Sequence, residues 1–350
     1  MERAAYRIID ANFNRAREAL RVMEEYCRFA LNDEHLSGRA KQLRHGLSAA
    51  IDHLEGGRLI ASRDTRADVG VGLRVENQLE RQTLADIFVA AAKRLTEALR
   101  ALAETAQTEN KPIAATIEQL RYDAYTFEKD VVLFAEAAEK FKRVRLYVLV
   151  SSNLPADVLS LAAKCTAGGA DCIQLRAKGI PDDRLFALAS EFVEICKAGG
   201  ALSIINDRAD IAIAAGADGV HLGQNDLPVE QVRRLQLSPL IIGKSTHSLD
   251  ELDAALAECP GYVALGCVFP TLTKPHIDIA GLDYVRDALA RLNGTGVGHV
   301  AIGGITADNV EKVFAAGAER VAVCSTVTEA PDPTQACRAL KDKITRLIDK

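Results

Sequence analysis

The sequence lacks several features that would place it at once in a broad class. It has no apolar run long enough to cross a bilayer, and its eight cysteines are scattered singly along 350 residues without paired spacing. It also has no excess of basic charge, with 43 Lys and Arg against 48 Asp and Glu and a net charge of -5. These absences argue against a membrane protein, a zinc or secreted disulfide scaffold, and a general nucleic-acid binder.

The N-terminus also lacks the uninterrupted apolar core of a signal peptide, because Arg and Asp break it repeatedly. Together with the unpaired cysteines, this predicts a soluble protein of the reducing cytoplasm. A hydrophobic content of 48% over this length favours two domains rather than one.

Residues 1–140 are predicted to form an all-α bundle of unknown role, because they are poor in Gly and Pro and carry apolar residues at helical spacing. Helices are expected near residues 10–31, 36–54, 79–108 and 113–138, with a polar loop between the second and third. The sequence Glu-Ala-Leu-Arg occurs at 18–21 and again at 97–100, as in a duplicated helical hairpin. An Arg-rich anion site joined by Arg63, Asp64 and Asp68 is one interpretation, but ordinary charge pairs on a solvated helix face are favoured.

Residues 141–350 change to short β-branched runs that alternate with helix-length segments. The predicted strands are 145–151, 171–177, 202–206, 219–221, 240–243, 262–265, 299–302 and 320–323. Eight strand-helix units in about 200 residues predict an α/β domain with the (β/α)8 TIM barrel fold. A doubly wound sheet is the alternative.

The second predicted strand carries two cations and an amide on one face. Side chains alternate along a strand, so Gln174, Arg176 and Lys178 share the face opposite to Leu175 and Ala177. The apolar face suits the helix layer, which leaves the polar set in the barrel mouth. Buried cations need a partner, and an anionic ligand is favoured over structural salt bridges.

Two aspartates follow neighbouring strands, at the end where barrel enzymes build their sites. Asp207 comes directly after Asn206, and Asp226 lies in the next strand-helix turn. Carboxylate oxygens suit Mg²⁺, which takes few protein ligands and completes its shell with phosphate and water. A single Asp after a strand is more typical of a helix cap. Two carboxylates beside Arg176 and Lys178, taken together, predict a magnesium-bound pyrophosphate.

Later loops add polar groups at the same edge. Ser245 follows the fifth strand, and Thr271, Thr273 and Lys274 follow the sixth. The segments 301–306 and 323–326, after the last two strands, can offer backbone N–H groups to a second phosphate. His221 is interpreted as a hydrogen-bonded barrel histidine rather than a catalytic base, and Cys267 and Cys324 as small apolar residues.

These motifs resemble those of the thiamine-phosphate synthase family. The matching pieces, in order, are QLRAK at 174–178, ND at 206–207, HLGQND at 221–226, GKSTH at 243–247, PTLTK at 270–274, IGGIT at 302–306 and CST at 324–326. Departures are Ala177, where family members commonly carry Glu, and Cys324, where an aliphatic residue is usual. The helical region resembles an N-terminal extension of some longer family members.

The resemblance implies a (β/α)8 barrel enzyme that joins a pyrimidine pyrophosphate to a thiazole phosphate. The implied pyrimidine pyrophosphate site comprises Gln174, Leu175, Arg176, Ala177, Lys178, Asn206, Ser245 and Lys274. The implied thiazole phosphate site comprises Thr271, Leu272, Thr273, Gly304, Cys324 and Ser325. Asp207 and Asp226 are implied ligands of Mg²⁺, the expected cofactor.

The expected mechanism is dissociative, with Arg176, Lys178 and Lys274 stabilising the departing pyrophosphate and no protein nucleophile. A thiazole tautomerase would not need the two aspartates or the cations of the second strand. A ligand-binding regulator is the non-enzymatic alternative. The expected partners are small-molecule substrates, without nucleic acid or membrane, and a homo-oligomer is left open.

Overall fold

The computed structural model describes residues 3–52, 56–66, 68–69, 81–108, 110–151, 154–235, 238–271 and 278–349. The chain forms two compact units, Met1–Val132 and Leu133–Lys350. All eight cysteines lie within the described ranges and carry free thiols. None of the helices in those ranges has the length and apolarity needed to cross a membrane.

The first unit is helical. Its helices are α1 (Arg3–Glu25), α2 (Glu34–Asp52), α3 (Gly56–Ser62), α4 (Leu84–Gln107) and the first part of α5 (Lys111–Lys142), which continues into the second unit from Leu133. A π-helical turn at Tyr26–Ala30 follows α1. The start of α4 is fixed by a capping box, in which Thr83 Oγ1 accepts from the Asp86 N–H at 3.1 Å and Asp86 accepts from the Thr83 N–H at 2.9 Å. The prediction of a loop throughout the segment after α2 is wrong for α3, where burial of Leu59 favours a helical turn despite two glycines.

The repeated Glu-Ala-Leu-Arg sequence lies on α1 and α4, which pack against each other. In both copies the Ala and Leu are buried and the Glu and Arg are exposed. Arg63 pairs with the buried Asp10, with Nη2–Oδ1 at 2.6 Å and Nε–Oδ2 at 2.8 Å. Its guanidinium is therefore neutralised within the unit, in agreement with the interpretation of these helices as an ordinary packed pair with a charged outer face.

The second unit is a closed barrel of eight parallel strands in sequence order, with β8 paired to β1. The strands are β1 (Leu146–Ser151), β2 (Cys172–Arg176), β3 (Leu202–Asn206), β4 (Gly219–Leu222), β5 (Ile241–Thr246), β6 (Tyr262–Leu265), β7 (Gly298–Ile302) and β8 (Val321–Val323). The helices are α6 (Pro155–Ala167), α7 (Asp182–Ala198), α8 (Ala209–Ala214), α9 (Val229–Leu235), α10 (Leu249–Ala257), α11 (Gly281–Leu292), α12 (Val310–Ala315), α13 (Ser325–Thr328) and α14 (Pro333–Ile348). The (β/α)8 prediction is confirmed, because closure of the sheet excludes a doubly wound order.

Alternation along β2 decides which side chains face the barrel interior. Ile173 and Leu175 are buried in the layer between strands and helices, and the partly buried Ala177 packs against that layer. Gln174 and Arg176 point to the inside. The predicted parity of this strand is therefore confirmed.

The amino ends of the strands are closed from below by the end of α5. Phe141 is 2% exposed and stacks on Tyr262 with ring centroids 4.2 Å apart. Ala137 and Val144 join the same apolar cluster. The division between the compact units therefore lies earlier than the predicted boundary after residue 140, because the last turns of α5 contribute to the barrel core.

Acidic residues tie the starts of neighbouring strands together. Asp171 Oδ2 accepts from the N–H groups of Arg145 and Leu146 at 2.8 Å, and Asp218 Oδ2 accepts from the Ser203 N–H at 3.0 Å. Both acids end an Ala-Gly-Ala-Asp or Gly-Gly-Ala-Asp segment before a strand. These bonds satisfy backbone donors at the bottom of the barrel and help fix the strand register.

Candidate active site

The carboxyl ends of the strands surround a cavity to which every strand contributes at least one side chain. Eight of the predicted substrate-binding residues line it: Gln174, Arg176, Asn206, Ser245, Thr271, Gly304, Cys324 and Ser325. The sequence assigned these residues to six different segments, and the barrel brings them to one mouth. The arrangement is that of barrel enzymes, whose sites lie at this end.

Asp207 and Asp226, the two predicted metal ligands, lie at the β3–β4 side of the cavity. Lys178 Nζ lies 3.4 Å from Asp207 Oδ2, and the Asp226 carboxyl lies within hydrogen-bonding reach of Asp207. Asp226 is held by the Gly223 N–H, which donates to Oδ2 at 2.6 Å. The two carboxylates predicted to share a metal are therefore adjacent, with one cation beside them.

The electrostatics of Asp207 reflect this crowding. Partial burial, and then the negative charge of Asp226, raise the pKa of the Asp207 carboxyl above its usual range, while Lys178 acts in the opposite direction. Two carboxylates in contact need either a proton or a cation between them. Hard oxygen donors in this arrangement fit Mg²⁺, which binds through one or two carboxylates and leaves positions for phosphate and water.

The opposite side of the mouth is formed by the loops after β7 and β8. Gly303 and Gly304 adopt positive φ angles of 110° and 61°. A Cβ on Gly304 would lie 2.4 Å from the Pro270 carbonyl oxygen, so a side chain has no room there. The two loops are joined by Thr326 Oγ1, which donates to the Ile305 carbonyl at 2.8 Å. Among the described residues, this side contributes backbone groups and the side chains of Ser325 and Thr326 to the cavity.

A hydrogen-bonded chain runs beneath the mouth, through the barrel interior. Gln174 Nε2 lies 2.8 Å from Tyr147 Oη, which lies 3.0 Å from Tyr262 Oη. His221 Nδ1 lies 2.9 Å from Tyr262 Oη, and its Nε2 lies 2.9 Å from Ser245 Oγ. His221 is thus hydrogen-bonded through both ring nitrogens, as the sequence interpretation expected.

Comparison with known proteins identifies the family. A family model described as thiamine monophosphate synthase matches residues 146–327. Curated proteins named thiamine-phosphate synthase match far more of the chain. The one from Nostoc sp. is 38% identical over 347 residues, covering 99% of this chain and 96% of the relative. The one from Rhodopirellula baltica is 40% identical over 329 residues, covering 92% of this chain and 88% of the relative.

The chain belongs to the thiamine-phosphate synthase family. The structure of thiamine phosphate pyrophosphorylase from Pyrococcus furiosus is also similar, with 30% identity and a TM-score of 0.54. That alignment covers 98% of the Pyrococcus furiosus chain and 60% of this one. A second family model, described as the ThiD2 family, matches residues 7–130. The predicted family and its long form with an N-terminal extension are confirmed.

Some residues that the resemblance to thiamine-phosphate synthase implied lie elsewhere or are not described. The side chains of Leu175 and Ala177 face the helix layer, so only their backbone is near the mouth. Leu272, Thr273 and Lys274 lie outside the described residues. Cys324 lines the cavity, but burial raises the pKa of its thiol and disfavours the thiolate that a nucleophile would need.

The sequence interpretation of this thiamine-phosphate synthase family member missed the two tyrosines under the mouth. Tyr147 and Tyr262 lie within predicted strands, and their hydroxyl partners come from other strands. One signal was available in Gly243, which lies opposite Tyr262 in the β5–β6 register. A Cβ on Gly243 would lie 2.1 Å from Tyr262 Cζ, so this glycine makes room for the ring.

Proposed function

We propose that the barrel mouth is the active site for the family reaction and that Asp207 and Asp226 bind Mg²⁺ there. The reaction condenses 4-amino-2-methyl-5-hydroxymethylpyrimidine pyrophosphate with 4-methyl-5-(2-hydroxyethyl)thiazole phosphate, giving thiamine phosphate and pyrophosphate. Family membership over nearly the whole chain supports the reaction. The observation that carries the assignment of the site is the pair of adjacent carboxylates beside Lys178, on the rim of the cavity that Arg176 lines.

The pyrophosphate end of the first substrate lies at the β2–β4 side in this proposal. Arg176 can present a planar fork of donors to phosphate oxygens, and Lys178 adds a compact positive charge. Lys178 already approaches Asp207 at 3.4 Å, so a substrate phosphate and Mg²⁺ would replace that contact with stronger ones. Gln174, Asn206 and Ser245 then face the pyrimidine.

The thiazole phosphate lies at the β7–β8 side. Gly304 and Ser325 line the cavity there, and backbone N–H groups at this position commonly bind phosphate in barrels. Thr271 also lines the cavity, and in this proposal its hydroxyl donates to the thiazole substrate. On the family resemblance alone, we assign Thr273 to binding of the thiazole phosphate and Lys274 to binding of the pyrimidine pyrophosphate.

The chemistry requires charge stabilisation and positioning rather than a protein nucleophile. The bond between the pyrimidine methylene carbon and the pyrophosphate oxygen breaks, leaving a carbocation, and the thiazole nitrogen then forms the new carbon–nitrogen bond. Bound Mg²⁺ supplies positive charge near the departing pyrophosphate. Arg176, Lys178 and Lys274 neutralise the charge that develops on the leaving oxygens.

The assay is thiamine phosphate formation from both substrates, titrated with Mg²⁺. Asp207→Ala and Asp226→Ala should each lower kcat/KM at least about a hundredfold at limiting Mg²⁺, equivalent to about 2.7 kcal/mol of transition-state stabilisation. Asp253→Ala is the matched control, because this carboxylate is exposed on α10 and pairs with Arg291. Near-normal activity of either mouth variant at limiting Mg²⁺ would refute the metal site.

A second pair of variants tests the parity of β2. Arg176→Ala should weaken use of the pyrophosphate substrate, whereas Ala177→Glu should change kcat/KM little because residue 177 faces the helix layer. Equal damage from the two substitutions would show that the mouth assignment of β2 is incorrect.

We also propose a cytoplasmic location. The support is that all eight cysteines, which lie within the described residues, are free thiols, as is usual in a reducing compartment.

A further inference from the structure

The hydrogen bonds under the mouth form one continuous chain across the barrel interior. Its five members, from one end to the other, are Gln174, Tyr147, Tyr262, His221 and Ser245. The side-chain amide nitrogen of Gln174 can only donate, so Tyr147 Oη accepts from it. A hydroxyl that accepts this bond has one proton of its own to donate onward.

Burial keeps the tyrosines of the chain protonated. Tyr147 is 1% exposed, Tyr262 is fully buried, Gln174 is 2% exposed and His221 is 8% exposed. Burial raises the pKa of both tyrosines well above the usual value, so both hydroxyls keep their protons. In a buried network each bond polarises the next, so a run of bonds that all point the same way is the favoured arrangement.

The cooperative arrangement, in which every bond points the same way, sets one direction along the chain. In that arrangement Tyr147 donates to Tyr262 over 3.0 Å, and Tyr262 donates to His221 Nδ1 over 2.9 Å. An imidazole that accepts at Nδ1 carries its proton on Nε2, which donates to Ser245 Oγ over 2.9 Å. The Ser245 hydroxyl proton is left to point away from His221, toward the cavity that Ser245 lines.

We infer that Tyr147, Tyr262 and His221 are positioning residues that fix the orientation of the Gln174 amide and the Ser245 hydroxyl, and thereby the donor–acceptor pattern that the pyrimidine substrate must match. With Nε2 engaged by Tyr147, Gln174 presents its carbonyl oxygen and one remaining N–H to the mouth. Ser245 presents a donor. This inference rests on the proposed function, in which these two residues face the pyrimidine.

The donor–acceptor pattern of the Gln174 amide favours a 4-aminopyrimidine over a 4-oxopyrimidine. A 4-aminopyrimidine offers a donor at its amino group beside an acceptor at the neighbouring ring nitrogen, which complements the fixed amide. A 4-oxopyrimidine offers the reverse, an acceptor oxygen beside a ring N–H. It would pair only with an inverted amide, and inverting the amide would break the bond to Tyr147 or reverse the whole chain.

The ring of Tyr262 is closely packed. Phe141 stacks on it with an interplanar angle of 13°, and Gly243 lies so close to the ring that a Cβ there would be 2.1 Å from Cζ. The hydroxyl of Tyr262 therefore has little freedom to move to another partner.

The first test compares kcat/KM for the 4-amino substrate and its 4-oxo analogue, both as pyrophosphates, with thiazole phosphate and Mg²⁺ saturating. Tyr147→Phe and Tyr262→Phe free the amide to invert, so the preference for the amino substrate should fall roughly tenfold or more. Tyr284→Phe is the matched control, because it removes a buried hydroxyl bonded to Thr246 outside the chain. That variant should keep the wild-type preference.

A purely structural role would lower both kcat/KM values together and leave their ratio unchanged, and that result would overturn the inference. If the wild-type chain does not join the amino substrate to thiazole phosphate at all, the proposed function fails instead.

The second test does not depend on activity or on the folding of the tyrosine variants. Nitrogen-15 NMR of the full-length chain labelled at histidine, with the His221 signals assigned from His221→Asn, reports the tautomer directly. We expect the neutral form with the proton on Nε2 in the wild type. A proton on Nδ1 would reverse the chain and refute the proposed direction.

Discussion

Asp207, at the mouth, has a backbone conformation that is unfavourable for a residue other than glycine. Its φ angle is 64°, in the left-handed region, and its N–H donates to the His221 carbonyl at 2.8 Å. A non-glycine residue there costs about 1 kcal/mol or more, and aspartate is among the residues that tolerate it best. The same geometry sets the carboxyl against Asp226, so backbone strain and charge repulsion are concentrated at the proposed metal site.

The raised pKa of Asp207 predicts how stability depends on pH when Mg²⁺ is absent. An acid whose pKa is higher in the folded than in the unfolded state stabilises the fold only while it is protonated. This contribution is lost as the pH rises from the ordinary aspartate range through the folded value. Asp207→Asn should therefore gain Tm over the wild type near pH 7, and the gain should shrink toward pH 3. Calorimetry in chelator measures both values.

Added Mg²⁺ should make the wild type more stable than Asp207→Asn near pH 7, because only the wild type keeps both carboxylates for the cation. A wild-type Tm that rises with Mg²⁺ while that of Asp207→Asn stays fixed is the expected outcome. Equal Mg²⁺-dependent stabilisation of the two proteins would contradict the ligand assignment.

Single residues differ in how well the sequence predicts them. Gln174 and Arg176 could be assigned to the mouth because side chains alternate along a strand. Once the apolar face is identified, the polar face is identified as well. Tyr147 and Tyr262 could not, because their hydroxyls meet across 115 positions of sequence. A buried tyrosine has the same apolar pattern as a packed phenylalanine, and only the closed barrel supplies its polar partners.

At the scale of elements, the loop after β7 has a shape that only glycine allows. Gly303 and Gly304 both have positive φ angles, and Phe269 donates its N–H to the Gly303 carbonyl at 3.0 Å. The Gly304 carbonyl accepts from Asn309 Nδ2 at 2.9 Å, which ties the loop to the start of α12. The loops after β6 and β7 are thus packed backbone to backbone.

Gly304→Ala should damage the proposed thiazole phosphate site more than it damages the fold. The new methyl group would meet the Pro270 carbonyl at 2.4 Å, so the two loops must separate. We expect KM for thiazole phosphate to rise at least about tenfold, which corresponds to about 1.4 kcal/mol. Steady-state kinetics with each substrate varied in turn make the measurement.

Gly216→Ala is the control for backbone strain. Its φ is 69° and nothing lies within 4 Å of the new methyl group, so it adds a left-handed alanine without a clash. Its Tm should fall by an amount equivalent to about 1 kcal/mol, with unchanged kinetics. If both variants raise KM equally, the close approach of the two loops is not what shapes the site.

Strands were predictable where a β-branched run is bounded by turn-forming residues. β3 and β6 have the predicted bounds, because a glycine or proline lies shortly before each β-branched run and polar or glycine residues follow it. α3 was missed because two glycines and flanking charges are typical of a loop. Burial of Leu59, a tertiary effect that composition does not report, accounts for its helical turn.

At the scale of the whole molecule, the barrel depends on residues that look in sequence like the end of the helical domain. Ala137 and Phe141 belong to α5 by periodicity, yet both are buried in the cluster that fills the barrel's amino end. Phe141 also supports Tyr262, the central member of the hydrogen-bonded chain. Periodicity shows that a helix continues but not which core its last turns enter.

The compact unit that begins at Leu133 should therefore fold and retain the synthase reaction, whereas a fragment that begins at Arg143 should not be equally stable. The shorter fragment loses Phe141 and Ala137, and removing a buried Phe alone typically costs about 3–5 kcal/mol. Phe141→Ala in the full-length chain is the matched point variant and should reproduce most of that loss. Urea unfolding gives the free energies, and the condensation assay gives turnover.

Equal stability of the two fragments would contradict the role of the α5 end. A folded 133–350 fragment with about a hundredfold lower turnover, or about 2.7 kcal/mol, would show that the chemistry needs residues before Leu133.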